Sequence, residues 1–409
     1  MNILFRLAWR NLWRHKRRTW LTIGAMVFSN VLLVFMISLQ FGTYQMMIDN
    51  TLNAFSGHIQ VQHQSYNDEP KMRYSVPEIS VLTQQLSETL NSDGISARAS
   101  AFALASSEQR SYGVQIIGVQ PQTEPNVSTI PGLVKQGRYL NDPNAREIVI
   151  GKVLARNLKV QVSDEITLLG SGKDGSFAAD IVTVVGIYDS GIIDLDRSMA
   201  EMPLDYFQEL FAMQNSGHAI VVNASDLFQV KQWQQQIQQQ IKDQPDLVAH
   251  DWITLQPGLM QAIQADFSSA WFMYGILIIL VAFSVLNTQL MSVLERTREF
   301  GITMALGFRP GKLSRLILLE TTMMASLGLI IGCAIGFLVM LYFDRYGFSY
   351  PGMEEMAYKF NLPDKMYPNV SFLSVLFGPS IIFVFSILAA IYPAVRLHFL
   401  HLVQAMRAA

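Results

Sequence analysis

The chain has 409 residues, half of them hydrophobic and only 15% charged, with a net charge of −2. No basic stripe suggests a nucleic-acid partner, and a single cysteine, Cys333, excludes a disulfide framework. The apolar residues are unevenly spread. A bilayer core about 30 Å thick is crossed by roughly 20 apolar helical residues. Four stretches free of Asp, Glu, Lys and Arg are long enough: 19–48, 267–294, 321–343 and 370–395.

Residues 1–18 carry six Lys or Arg and no acid. On a helix, Phe5, Trp9, Leu12 and Trp13 share one face, and Arg6, Arg10, Arg14 and Arg17 form the other. This is the pattern of a helix lying in the membrane interface. A plain basic flank obeying the positive-inside rule would lie at the same cytoplasmic surface. The apolar run 19–48 opens like a secretory signal, but it is too long and has no clear small-residue cleavage site. It reads as a retained transmembrane helix.

Residues 49–266 read as a mixed α/β domain large enough to bury its own core. Stretches 57–62, 112–119, 147–151, 164–170, 179–188 and 218–223 are rich in β-branched residues and bounded by turn formers, as strands are. Stretches 80–90 and 228–242 look helical; in the second, Val230, Trp233, Ile237 and Ile241 recur at helical spacing. The span 267–294 then runs into "ERTRE" (295–299), four charges in five residues, and a Gly-punctuated amphipathic piece. The segment 295–315 holds five Lys or Arg, whereas the loop 344–369 holds three against four acids. The positive-inside rule therefore places the N-terminus, 295–315 and the tail 396–409 in the cytoplasm and 49–266 outside.

The third span, counted with its first turn as 316–343, carries Gly328, Gly332 and Gly336 in one register. Glycine at every fourth position lets another helix approach closely in lipid. The fourth, 370–395, contains Pro379 and ends at Pro393, so a bend or a helix contact is expected there. Glu320 lies about one turn inside the third span and can pair with Arg315 or Arg296.

No active site can be assembled. "GFRPGKL" (307–313) has three residues between its glycines where a Walker A loop needs four, and Leu313 where it needs Ser or Thr. His58 and His63 point to opposite faces of a strand. His398 and His401 lack a third ligand, and Asp189, Asp194 and Asp196 fail the EF-hand spacing and read as an acidic turn. No metal and no cofactor are expected in this chain.

The order basic helix, span, large outer domain, span, "SVLERTREFGITMALGFRPGKLSRLILLE", span, short loop, span and "PAVRLHFLHLVQAMR" resembles the FtsX/MacB-type permeases of type VII ABC transporters. Within them it is most similar to the lipoprotein-releasing LolC/LolE group. The tail residues Pro393, Ala394, Arg396, Ala405 and Arg407 are similar to the family's closing motif, although "HLVQAMR" stands where an Asp-Pro pair is usual. The resemblance implies four transmembrane helices and a MacB-like periplasmic core domain in the bacterial inner membrane. It also implies a cytoplasmic ABC ATPase dimer that binds ATP and Mg, and a second permease copy or paralogue. The turn 170–176 takes the place of the long hook with which LolC recruits a periplasmic lipoprotein chaperone, and it is short.

In that frame Glu295, Arg296, Arg298 and Glu299 pair at i,i+3 to firm the helix end, and Ile302 to Leu306 dock on the ATPase. Phe35, Met36, Leu39, Met46, Met47 and Ile48 of span one, with Phe267, Trp271, Tyr274 and Ile278 of span two, would line an acyl-chain cavity or else face lipid. The expected function is a permease that couples a separate ATPase to extrusion of a lipid-anchored or amphipathic substrate. An FtsX-like transducer controlling a periplasmic enzyme, and a MacB-like exporter feeding an outer-membrane duct, are the alternatives.

Overall fold

The computed structural model describes residues 3–224, 227–353 and 365–399. Two compact units emerge. One is helical, built from residues up to 45, 263–350 and from 365 onward; the other spans 46–262.

Four helices are long and apolar enough to cross a membrane: span one (Lys16–Thr51), span two (Pro257–Glu295), span three (Pro310–Tyr346) and span four (Phe372–Arg396). Each has a local reason for its ends. Pro310 opens span three at a position where no intrahelical N–H is needed. Gly347 closes it at φ 73°, returning its N–H to the Phe343 carbonyl at 2.8 Å. Span four starts on a reciprocal cap, in which Ser371 Oγ accepts from Ser374 N at 3.1 Å. Spans one to three outrun the apolar stretches. Span two, 39 residues and therefore about 58 Å at 1.5 Å per residue, begins ten residues before Phe267. Hydropathy marks where lipid ends, but backbone hydrogen bonding continues past it.

Span one is the axle of the helical unit. The three in-register glycines of span three face it: a Cβ built on Gly328 would meet Met26 Cβ at 2.8 Å, on Gly332 Asn30 Cβ at 2.5 Å, and on Gly336 Val34 Cβ at 3.1 Å. Asn30 Nδ2 donates to the Gly328 carbonyl at 3.0 Å, a buried interhelical bond that only this close approach permits. Gly378 of span four, beside Pro379, receives the same helix, its built Cβ lying 2.9 Å from Ile37 Cδ1. Dispersion and a few polar bonds, including Ser314 Oγ to the Ala394 carbonyl at 2.7 Å, hold these helices, since lipid supplies no hydrophobic drive.

In the second unit ten strands form one sheet: β1 (Ile59–His63), β2 (Ile95–Ser106), β3 (Ser111–Val119), β4 (Val134–Gly137), β5 (Glu147–Gly151), β6 (Glu165–Ser171), β7 (Phe177–Tyr188), β8 (Met199–Pro203), β9 (Ala219–Val222) and β10 (Leu247–Asp251). Their order is β10-β1-β9-β2-β3-β8-β5-β7-β4, and β6 bridges β2 to β7. That bridge closes β2, β3, β8, β5, β7 and β6 into a ring, with β9, β1 and β10 extending from the first half of β2. The main core holds helix Ile79–Leu90 through Ile79, Leu82 and Leu86, and helix Leu227–Gln240 through Val230 and Ile237.

Four strands, β2, β4, β8 and β10, were not expected from the sequence. β2 reverses the usual alternation: Ala97, Ala99, Ala101, Ala103 and Ala105 point inward, while Phe102 and Leu104 stand exposed. The 189–196 stretch also differs from the expected turn. Ile193–Ser198 is a short helix whose buried Asp196 accepts from Ser190 N at 3.0 Å.

Candidate functional site

Two apolar cavities lie in the helical unit beside spans one and two. A cavity of about 130 Å³ is lined by Leu33, Ile37, Phe267, Trp271, Ile278 and Phe377 among others. A more open one of about 420 Å³ is lined by Phe35, Met36, Leu39, Met273 and neighbours. Gln40 and Tyr274 line both, so they form the wall between them. Seven of the ten residues expected around a cavity therefore sit on one or the other: Phe35, Met36, Leu39, Phe267, Trp271, Tyr274 and Ile278. Met46, Met47 and Ile48 do not, because span one has by then left the helical unit and belongs to the sheet unit.

The wall is polar, which sequence reasoning missed. Tyr274 donates its hydroxyl to Gln40 Oε1 at 2.7 Å, and Tyr44 donates to Asp266 Oδ2 at 2.6 Å. Gln40 Nε2 bonds Tyr44 at 2.6 Å and Asp266 at 3.1 Å. Four residues that look like isolated ends of apolar runs thus tie span one to span two. Their separation, 226 residues between Gln40 and Asp266, hides the cluster from any local motif.

At the other end of the bundle the charged run 295–299 breaks the helix. Span two stops at Glu295 and a new helix, Thr297–Ala305, starts after Arg296. The i,i+3 pairing expected between Glu295 and Arg298 is not formed. Glu295 instead accepts from Arg18 at 2.8 Å, and Glu299 pairs with Arg14 at 2.9 Å and Arg296 at 3.4 Å. The kink turns Arg298 to solvent, where it makes no ion pair among the described residues. Arg296 turns inward, contacting both carboxylate oxygens of Glu320 at 3.2 Å and lying 4.9 Å over the Phe300 ring. Asn11 Nδ2 completes the node, 2.7 Å from Glu320 Oε1.

The short helix is two-sided. Phe300 is buried with Val293, Leu313 and Ile317, whereas Ile302 is 51% and Leu306 78% exposed. These two apolar side chains, one on the short helix and one just past its end, stand open on its outer side. The nearby "GFRPGKL" is a turn at Gly307, with φ 93°, running into span three, and no strand precedes it. Lys312 sits 5.8 Å over the Phe308 ring.

Four of the remaining sequence candidates have structural partners. His58 Nδ1 bonds Asn223 at 2.5 Å and His63 stacks on Tyr74 at 4.8 Å. Asp189 pairs with Lys152 at 2.7 Å and Asp194 with Arg197 at 2.5 Å. His401, Ala405 and Arg407 lie outside the described residues, as does the "HLVQAMR" tail.

A buried ionic network stands in the sheet unit. Arg98 holds Glu124 at 2.5 Å, Ser96 Oγ donates to Glu124 at 3.1 Å, and Tyr139 donates to Glu201 at 2.6 Å. Burial, reinforced by the nearby Glu124 charge, pushes Glu201 up to about 8. A carboxyl held above its unfolded value keeps its proton in the fold and loses it on unfolding. Its stabilising effect is complete below about 4.5 and is lost as pH rises through 8. Glu201→Gln keeps an acceptor for Tyr139 and removes the titration. Thermal unfolding of the full-length protein should therefore fall between pH 5.5 and 8.5 in the native chain and stay nearly level in the variant. The gap at pH 8.5 should reach a few kcal/mol, at about 1.4 kcal/mol per pH decade. Parallel profiles would contradict this.

Four helices long and apolar enough to span a membrane, with a large sheet domain inserted between the first two and apolar cavities beside those two, define a multi-spanning membrane protein. Residues 19–240 match the MacB-like periplasmic core domain family, and residues 271–400 match the FtsX-like permease C-terminal family. The chain belongs to this FtsX/MacB-type permease family. It is 24% identical over 327 residues to the lipoprotein-releasing system transmembrane protein LolE of Haemophilus influenzae, covering 77% of each chain. With LolC of Xylella fastidiosa it shares 21% over 314 residues, 73% of this chain and 74% of that one. The pyoverdine export ATP-binding/permease protein PvdT of Pseudomonas fluorescens is 23% identical over 81% of this chain, but only 51% of its own length is covered.

Proposed function

We propose that this permease is the inner-membrane subunit of an ABC transporter that draws a lipid-anchored cargo, a lipoprotein, out of the bilayer. The observation that carries the reading is the pair of apolar cavities beside spans one and two, walled by aromatic side chains at the end where both spans continue toward the sheet unit. Burying an acyl chain there is worth about 0.8 kcal/mol per CH₂, so release needs work from outside the chain. The names of the LolE and LolC relatives support lipoprotein as the cargo. In this reading ATP and Mg are bound by a separate ATPase dimer in the cytoplasm, which grips Ile302, Leu306 and the exposed Arg298. The N- and C-termini lie on the same side as that ATPase. A second permease copy or a paralogue completes the complex, and a periplasmic chaperone receives the cargo.

A photo-crosslinker at position Trp271, in the complex with its ATPase, tests this. Acylated cargo should be captured without nucleotide, and capture should drop at least about ten-fold when ATP binds, a shift of about 1.4 kcal/mol. Lipid-only labelling unchanged by nucleotide would sink the transport reading in favour of a transducer.

A further inference from the structure

The more open cavity beside spans one and two, of about 420 Å³, is not apolar throughout. Thr43, Tyr44 and Asp266 close one end of it, and Met36 lines it eight residues before Tyr44, about 12 Å along the helix at 1.5 Å per residue. Asp266 stands exposed at its end and is the last charge before the uncharged run 267–294. Tyr44 and Gln40 both donate to its Oδ2, at 2.6 and 3.1 Å, and its Oδ1 accepts no hydrogen bond among the described residues. Both donors are neutral, so they orient the carboxylate and leave its charge uncancelled. No Lys, Arg or His among the described residues lines the cavity. Neither span brings a cation to this end, since the chain has no Lys or Arg between Arg18 and Lys71 or between Lys242 and Arg296. A carboxylate at the edge of an apolar span is costly unless it is paired.

We propose that this cavity selects an acylated molecule that carries an ammonium group in its head, and that Asp266 is the residue that recognises the ammonium. The inference deepens the proposed function and rests on its reading of the cavity as an acyl site. The acyl chain lies along Met36 and Met273, and the head reaches Asp266. An ammonium brings three donors and a positive charge to the free Oδ1. A phosphate or carboxylate head would meet a like charge there. A neutral head would leave the carboxylate without a counter-charge. Acyl chains filling the apolar length also keep water from the pair, which makes it worth more than an ion pair on an open surface. Two sources offer this chemistry: the amino-terminus of an acylated cargo and the headgroup of an aminophospholipid.

The test uses the full-length protein with its ATPase in nanodiscs of phosphatidylglycerol, a lipid without a cation. Three diacylated lipopeptides differ only at the terminal nitrogen, which is a free amine, N-acetylated or N-succinylated, and each carries a diazirine on an acyl chain. Capture on residues 35–44 and 266–274 should fall in that order, positive above neutral above negative. The free amine should lead its N-acetyl twin about ten-fold, the effect of one hydrogen bond to a charged group. Asp266→Asn keeps an oxygen for Tyr44 and Gln40 and should erase the order. Should that variant fail to fold, the charge order on the native chain still decides. Equal capture of the three probes by the native chain, or an order that persists in Asp266→Asn, overturns the proposal. Added phosphatidylethanolamine separates the two sources: it displaces the amine probe where the lipid headgroup fills the subsite and leaves it where the cargo's amine does. Equal capture that nucleotide still releases sinks the ammonium subsite alone. A charge order on a capture that nucleotide never changes sinks the transport reading alone, and no capture at these residues by any probe sinks both.

Discussion

Gly332→Leu should abolish the folded helical unit, whereas Ile330→Ala, two residues away and facing outward, should leave it intact. A single Cβ at position 332 already lies 2.5 Å from Asn30 Cβ, inside any real carbon–carbon contact. The obstacle is the root of a side chain on the facing helix, so no rotamer change relieves it. Overpacking of this kind costs about 3 kcal/mol or more, and here it also pulls Asn30 from the Gly328 carbonyl and strands a buried amide. The distances set an order for alanine: Gly332 worst, then Gly328 at 2.8 Å, then Gly336 at 3.1 Å. Thermal unfolding and size-exclusion profiles of the detergent-solubilised variants measure it. Equal melting temperatures for Gly332→Leu and Ile330→Ala would refute the close contact.

The glycine register was legible because its cause is local: every fourth residue of one helix. Its partner was not, since nothing in 328–336 says whether the facing helix is span one, span four or another chain. The four spans were legible for the same reason, each being one uninterrupted apolar run. β2 was hidden because its inward residues are alanines, which carry little strand preference. They are small because β2 runs through the middle of the sheet, between β9 or β6 and β3, with helices packed above it. A strand read by large apolar residues would put Phe102 and Leu104 inside, the wrong way round.

The run 295–299 shows how far charge patterning reaches. Its density suggested an external grip, but two of its carboxylates are held by Arg14 and Arg18 from the start of the chain. Spacing along one helix can propose i,i+3 pairs; it cannot weigh them against cations nearly 280 residues away. What the chain leaves free is the apolar side, Ile302 and Leu306, together with Arg298. In the function proposed above, the ATPase holds these residues rather than the paired carboxylates.

Arg296→Met should damage the protein more than loss of either exposed pair, because it leaves the Glu320 carboxylate buried without its cation. Both side chains are at most 10% exposed, and breaking such a pair from one side costs about 3–5 kcal/mol. Glu320→Gln should be milder, since Asn11 and Arg296 can still bond the amide oxygen. The double variant Arg296→Met/Glu320→Gln removes the ionic interaction without leaving a buried charge, and it should recover at least half the loss of Arg296→Met. Function is the more telling readout. Through Asn11, Arg296 and Glu320 the node joins the N-terminal helix, the start of the short exposed helix and span three. In the proposed transporter, a push on Ile302 and Leu306 would reach the spans through this joint. The double variant should fold and retain its ATPase, yet nucleotide should no longer release cargo from position 271. If it folds and release stays as nucleotide-sensitive as in the native chain, the node is only a structural pin, and force passes through the Phe300 packing instead.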